Sequence, residues 1–205
     1  MMHKFKQLIK ALKWQRQIRA SISTQLSLLE RDDLFALGGL TDQEEEGLRL
    51  LTRQAAPVCG APIIEFGTLF GLTTLLLSQE KPAGTRVITV DNFCWNPFGL
   101  SPAQHRLFTQ KILRSTQLTG SVDLVDSDSQ TFRTQYTGPR PCMVFFDADH
   151  SYEAVKDEIR WAKELGVPLI CGHDYGNSRF GVTKAVDESF PAGLQHKGML
   201  WWHKT

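Results

Sequence analysis

From residue 61 onward the chain alternates short, wholly apolar runs with segments whose apolar positions recur every three or four residues. Residues 62–66, 86–90, 121–125, 142–146 and 168–171 read as strands. Helices are expected over 73–79, 102–118, 151–165 and 182–190, and 198–203 reads as a final edge strand. Ser101-Pro102 is a start signal, an N-cap residue followed by proline at the first helical position, and Gly120 is a stop. Strands that are apolar at every position have both faces covered, and their alternation with helices implies crossover connections. The expectation is an α/β fold: a doubly wound, mostly parallel sheet with helices on both faces.

Residues 1–57 follow a different pattern and read as an N-terminal helical extension or cap, distinct from a main domain over 58–205. Phe5, Leu8, Ile9 and Leu12 repeat at helical spacing. Thr41-Asp42-Gln43-Glu44 has the form of a capping box ahead of Leu48, Leu50 and Leu51, and Ala56-Pro57 closes that helix. Six basic residues (Lys4, Lys6, Lys10, Lys13, Arg16 and Arg19) precede any acid. A solvated helical face accounts for them, as does an anionic membrane surface or an acidic partner. A cap over the functional site, or a homodimer contact, suits helices of this kind.

Composition narrows the class. A chain of 205 residues with 41% hydrophobic content suits one core. The formal net charge of +1 selects no polyanionic partner. Four scattered cysteines show neither a zinc spacing nor a redox pair, so a reduced, cytoplasmic chain is expected. No apolar run approaches the roughly 18 residues of a membrane span, and charges stand where a secretory signal would be apolar.

The chemistry begins after the first strand, in Glu65-Phe66-Gly67-Thr68-Leu69-Phe70-Gly71. In a doubly wound sheet, ligands bind at the carboxyl ends of the strands. Glycines let a ligand approach the backbone, and the helix that follows presents free N–H groups. The spacing Gly-x-x-x-Gly departs from the Gly-x-Gly-x-x-Gly of dinucleotide binders, and Glu65 suits a ligand with a cationic amino acid end better than a pyrophosphate. Asp91 ends the second strand, where an acid accepts both hydroxyls of a ribose, although Asp91-Asn92 is also a turn former. Asp128-Ser129 follows the third strand and reads equally as an adenine contact or a polar turn.

Glu65-x-Gly67-x-x-x-Gly71, Asp91, Asp128-Ser129 and Phe145-Phe146-Asp147-Ala148-Asp149-His150-Ser151-Tyr152 together resemble the class I S-adenosylmethionine-dependent methyltransferases. With Gly172-His173-Asp174-Tyr175 and Gly181-Val182-x-x-Ala185-Val186-Asp187-Glu188, they are similar to the small-molecule O-methyltransferases of catechols and macrolide sugars. The resemblance covers residues 58–203 and implies a Rossmann-like sheet of seven strands. It places Glu65, Gly67, Thr68 and Gly71 around the methionine moiety of S-adenosyl-L-methionine, Asp91 on its ribose and Asp128 or Ser129 near its adenine. Thr73 and Asp147 complete the expected cofactor set.

Asp147 ends the fourth strand and His173-Asp174 the fifth, and adjacent strands lie about 4.8 Å apart, so these side chains converge. A divalent metal held by Asp147, His173 and Asp174 would grip both oxygens of a vicinal diol and lower the pKa of the attacking hydroxyl. Carboxylates suit Mg2+, but metal-dependent relatives carry a carboxylate or Asp-Asn pair where this chain has His173-Asp174, and histidine favours softer metals. The catalytic expectation is His150 as base, with Asp147 beside it. The structural alternative makes Asp149 and Ser151 helix caps and His150 and His173 satisfied core residues. Phe93, Trp95 and Phe98 either wall the cleft or pack locally. Arg179, between Gly176 and Gly181, is placed for an anionic acceptor.

The leading function is methyl transfer to a hydroxyl of a sugar or natural product. Related oxidative or hydroxylating chemistry, or a degenerate cofactor-binding module, would use the same scaffold. A dinucleotide oxidoreductase is disfavoured by the glycine spacing. Nucleic acid is not an expected partner, since no base-binding Pro-Pro-Tyr motif appears and the positive charge gathers only at 1–19.

Overall fold

The computed structural model describes residues 39–55, 60–95 and 99–205. The expectations set on Phe5, Leu8, Ile9 and Leu12, on the basic residues of 4–19, on Ala56-Pro57 and on Phe98 lie outside those residues. In chain order the elements are α1 (Asp42–Gln54), β1 (Ile63–Phe66), α2 (Leu72–Glu80), β2 (Val87–Asp91), α3 (Pro102–Ile112), α4 (Arg114–Leu118) and β3 (Val122–Asp126). There follow α5 (Ser129–Gln135), β4 (Met143–Phe146), α6 (Tyr152–Glu164), β5 (Leu169–Gly172), α7 (Val182–Ser189), β6 (Gln195–Lys197) and β7 (Leu200–Lys204).

The strands form one seven-stranded sheet in the order β3-β2-β1-β4-β5-β7-β6. The five strands from β3 to β5 are parallel, and β7 runs antiparallel between β5 and β6. The expected α/β sheet is therefore present. Strand order reverses at β1, which pairs with β2 on one side and β4 on the other, and this opens a crevice at the carboxyl ends.

Side chains alternate across the sheet, so one strand feeds two cores. Ile63, Met143, Phe145 and Leu169 face α1 and α2, while Ile64, Phe66, Val144 and Ile170 face α6 and α7. On the second face Phe66 stacks on Phe146, with ring centroids 5.4 Å apart.

Three features depart from the expectation. The helix foreseen over 102–118 is two helices, broken at Leu113, whose side chain is fully buried. The seven-residue α5 was not foreseen. The stretch 198–203 is not an edge: β7 is paired on both sides, and β6 takes the edge.

Helix α1 begins as its capping box implies. The Glu44 N–H donates to Thr41 Oγ1 (3.3 Å), and the Thr41 N–H donates to Glu44 Oε2 (2.8 Å). Leu48, Leu51 and Ala55 enter the same buried cluster as Ile63, Leu77 and Phe145. Truncating Leu48, which is fully buried, is expected to cost about 2–5 kcal/mol. In urea unfolding, Leu48→Ala should keep a single transition at a lower midpoint. A separate early transition would mean that α1 is an independent appendage.

Candidate active site

Backbone strain gathers at one end of the sheet. Among the described residues, three non-glycine residues have positive φ: Leu69 (46°) after β1, Phe93 (58°) after β2 and Asp174 (61°) after β5. Such conformations persist where the surroundings over-determine them, commonly at ligand sites. Gly67 (φ 93°) belongs to the same crevice, and a Cβ there would run into the Asp147 backbone carbonyl. Gly71 (φ 83°) opens α2, with the Leu113 side chain filling the space a Cβ would need.

Glu65 lies at the floor of this loop, fully buried. Its Oε2 accepts hydrogen bonds from Thr74 Oγ1 (2.5 Å) and Thr89 Oγ1 (2.6 Å), and its Oε1 has no hydrogen-bond partner. Burial pushes its pKa up to about 8, against the two threonine hydrogen bonds and with a further push from the charges of Asp147 and Asp91. Thr74 is the α2 threonine that meets Glu65, and Thr73, expected among the cofactor contacts, is half-buried on the same turn. Thr68 contributes its hydroxyl to the group through Thr89 (2.6 Å).

Asp91 ties the loop down. Its Oδ2 accepts the N–H of Thr68 (2.8 Å) and of Leu69 (2.9 Å), and its Oδ1 accepts the N–H of Phe93 (2.6 Å). A carboxylate has about four acceptor directions, so roughly one remains for a ligand in this arrangement. The Leu69 carbonyl is held from the other side by Thr109 Oγ1 (2.7 Å) and His105 Nε2 (2.8 Å) of α3. Phe93 is buried against His105, which places it in local packing on the helix that follows rather than on the cleft wall. Trp95 is 55% exposed.

Both groups expected near an adenine have local partners. Asp128 caps α5 by accepting the Thr131 N–H (2.7 Å), and Ser129 Oγ donates to the buried Glu158 of α6 (2.5 Å).

The ends of β4 and β5 do converge. Asp147, His173 and Asp174 each offer a ligating atom within 4.8 Å of the others. His173 Nδ1 lies 3.8 Å from Asp147 Oδ1 and 3.7 Å from Asp174 Oδ2, while its Nε2 lies 3.4 Å from Glu44 Oε2. These are ion-pair distances, and neither ring nitrogen has a hydrogen bond. Burial opposes a charge on His173, but Asp174, Glu44 and Asp147 outweigh it and raise its pKa to about 10. Asp147 is pushed up to about 7 by burial, eased by His173 and reinforced by Asp174 and Glu44. Asp174 is itself buried, yet the neighbouring His173 and the hydrogen bond donated by Asn177 Nδ2 (2.9 Å) hold it below the usual range.

Sequence reasoning assigned Glu44 only a capping role. In the structure it is 3% exposed and reaches β5 from α1. His150 stands at the mouth, 3.5 Å from Asp174 Oδ2 and against the ring of Phe180 (centroids 4.6 Å apart). Burial lowers its pKa, against the pull of Asp174, so the imidazole is neutral near pH 7. Ser151 caps α6, as the structural alternative had it, whereas Asp149 accepts the N–H of Ser151 in a local turn ahead of the helix.

Residues 64–187 match the family model described as a methyltransferase domain, more than half of the chain. The chain belongs to that family. No curated protein sequence matches it significantly. Its fold is similar to that of an O-methyltransferase, TomG of Streptomyces achromogenes, involved in tomaymycin synthesis and solved with SAM (16% identity, TM-score 0.59, 82% of each chain covered). It is also similar to an O-methyltransferase from Bacillus cereus solved with SAH (15% identity, TM-score 0.58, 92% of this chain and 90% of that one). A candidate rRNA methylase from Clostridium thermocellum shares the fold equally well (16% identity, TM-score 0.58, 82% and 100%). At such identities the likeness establishes architecture and leaves the acceptor open. Among the described residues, no helix is long and apolar enough to cross a membrane.

The buried acids give a signed pH dependence. The folded pKa of Glu65, about 8, stands above its ordinary 4.5, so its contribution to stability is full below about pH 4.5 and is lost as the pH rises through 8. Asp147 and Glu158, both raised to about 7, act in the same direction. The urea midpoint of the ligand-free protein should fall from about pH 5 to about pH 8, and Glu65→Gln should flatten that slope. An unchanged slope in the variant would show that Glu65 is ionised in the folded protein.

Proposed function

We propose that this methyltransferase uses S-adenosyl-L-methionine to methylate a hydroxyl of a small molecule, a sugar or other natural product, with His150 as the base. The observation that carries the reading is the juxtaposition, across β1 and β4, of the glycine loop over Glu65 with the Asp147-His150-Asp174 group. Glu65 is a carboxylate near the edge of ionisation with one oxygen unpartnered, and a cationic amino acid end draws such a group into its charged form. S-Adenosylmethionine supplies a sulfonium methyl when bound. Asp91, at the end of the neighbouring strand, suits its ribose once the loop N–H groups yield an acceptor direction.

The chain's own part in the transfer is positioning and proton removal. His150 is neutral, partly open to solvent and oriented by Asp174, so its ring can take the proton that the acceptor hydroxyl loses. A divalent cation fits beside it on one count: the buried Nδ1 of His173 faces two carboxylates without a hydrogen-bond partner. Asp147, His173 and Asp174 would hold the cation, which would lower the pKa of the acceptor hydroxyl. A small acceptor, rather than nucleic acid, accords with the net charge of +1. The free Cys94, Cys142 and Cys171 suit a reducing cytoplasm.

Isothermal titration should give micromolar binding of S-adenosylmethionine or its demethylated product, and the absence of heat with both would end the proposal. His150→Ala should keep that affinity and lower kcat about 10²–10⁴-fold on an accepted substrate. Retained affinity with an unchanged rate would remove His150 from the chemistry.

A further inference from the structure

We propose that Glu44 is the outer carboxylate of a site selective for a first-row transition-metal dication, fixing His173 so that its Nδ1 joins Asp147 and Asp174 as a ligand. The inference rests on the divalent-cation reading above and adds to it the metal class and the part played by α1.

Three observations carry it. The first is the orientation of the ring. His173 is 3% exposed, its Nε2 lies 3.4 Å from Glu44 Oε2, and its Nδ1 lies 3.8 Å from Asp147 Oδ1 and 3.7 Å from Asp174 Oδ2 on the other side of the ring, with no hydrogen bond made at either nitrogen. Metal-ligating histidines generally donate their other ring N–H to a carboxylate, which fixes the tautomer and leaves the lone pair on the metal side. Here the carboxylate and the two acidic co-ligands lie on opposite nitrogens of one imidazole.

The second is the rigidity of Glu44. Its Oε2 accepts the Thr41 N–H (2.8 Å) and its Oε1 accepts the Met199 N–H (2.6 Å). The carboxylate is therefore clamped between the start of α1 and the turn joining β6 to β7, where it can orient a ring without moving.

The third is the donor set. Metal–ligand bonds of about 2.1 Å put neighbouring donors roughly 3.0–3.4 Å apart. The two histidine–carboxylate separations, 3.7 and 3.8 Å, exceed this by about 0.3–0.8 Å, and all three donor atoms lie within 4.8 Å of one another, so loading a cation requires the side chains to draw in. Two carboxylates with one imidazole favour Mn2+, Fe2+, Co2+ or Zn2+ over Mg2+, which prefers an all-oxygen shell.

The arrangement couples the docking of α1 to the loading of the metal, because the residue that caps the helix also aims the ligand. Co2+ is a suitable probe, its visible d–d bands reporting ligation without any turnover. The chelator-treated full chain should develop those bands on titration, and equimolar Mg2+ should leave them in place. Glu44→Gln keeps one oxygen for the Thr41 N–H, turns its NH2 toward the Met199 N–H and loses the charge beside the imidazole, so Co2+ should bind about 10–100-fold more weakly. S-Adenosylmethionine affinity should be unchanged in that variant. Should the variant fold poorly, proton NMR of the Co2+-loaded wild type provides the second measurement. A hyperfine-shifted imidazole N–H that exchanges slowly with D2O is expected from His173 Nε2 against Glu44.

Absence of Co2+ bands in the wild type would overturn the inference together with the cation reading. Wild-type bands with equal affinity in Glu44→Gln, or a ring N–H that exchanges at once, would overturn the role of Glu44 alone. Displacement of Co2+ by equimolar Mg2+ would overturn the metal class.

Discussion

Three carboxylates, Glu44, Glu65 and Asp174, are buried at the carboxyl end of this sheet, and a fourth, Asp147, is partly buried beside them. Unpaired charge in such a place is costly, and each acid meets the cost differently. Glu65 is held near neutrality under two threonine hydroxyls. Glu44 and Asp174 stay ionised against the imidazole of His173 and nearby N–H groups. Asp147 shares His173 at 3.8 Å, and burial, eased by that imidazole and reinforced by Asp174 and Glu44, raises its pKa to about 7. The fold tolerates this concentration because parallel strands end together there and the backbone of the loops supplies donors. A cationic ligand on either side of Asp147 would relieve it.

The glycine loop shows the same economy in its backbone. Asp91 takes three N–H groups and α3 takes the Leu69 carbonyl, so the loop is built before any ligand arrives. Leu69 and Phe93 are held in the left-handed region as a result, where an isolated loop would relax.

The strands were legible because strands covered on both faces are apolar throughout, which no surface element imitates. The candidate positions Glu65, Asp91, Asp147 and Asp174 followed, since strand ends mark the crevice. What escaped had local causes. The polar, seven-residue α5 lacks an apolar stripe, and its capping acid, Asp128, reads as a turn. The contact of Thr74 with Glu65 was not foreseen, because one residue in a helix turns a side chain by about 100° and the helix start was not fixed by the sequence. Phe93 could not be assigned to packing or to the cleft until the fold showed which helix lay beside it.

Glu44 was hidden for a more instructive reason. Thr41-Asp42-Gln43-Glu44 explains itself completely as a capping box, and a residue with a sufficient local role invites no search for a distant one. Yet a capping glutamate has two oxygens and needs only one lone pair to hold the N-cap N–H. The remaining capacity is available to whatever the helix start faces, and here that is Met199 and His173. The same carboxylate that begins α1 thus fixes the orientation of a ring at the end of β5. Because Leu48 and Leu51 hold α1 in the core of the sheet, helix packing, capping and active-site geometry are one mechanical unit. A change that lifts α1 would move the cap and the carboxylate beside His173 together.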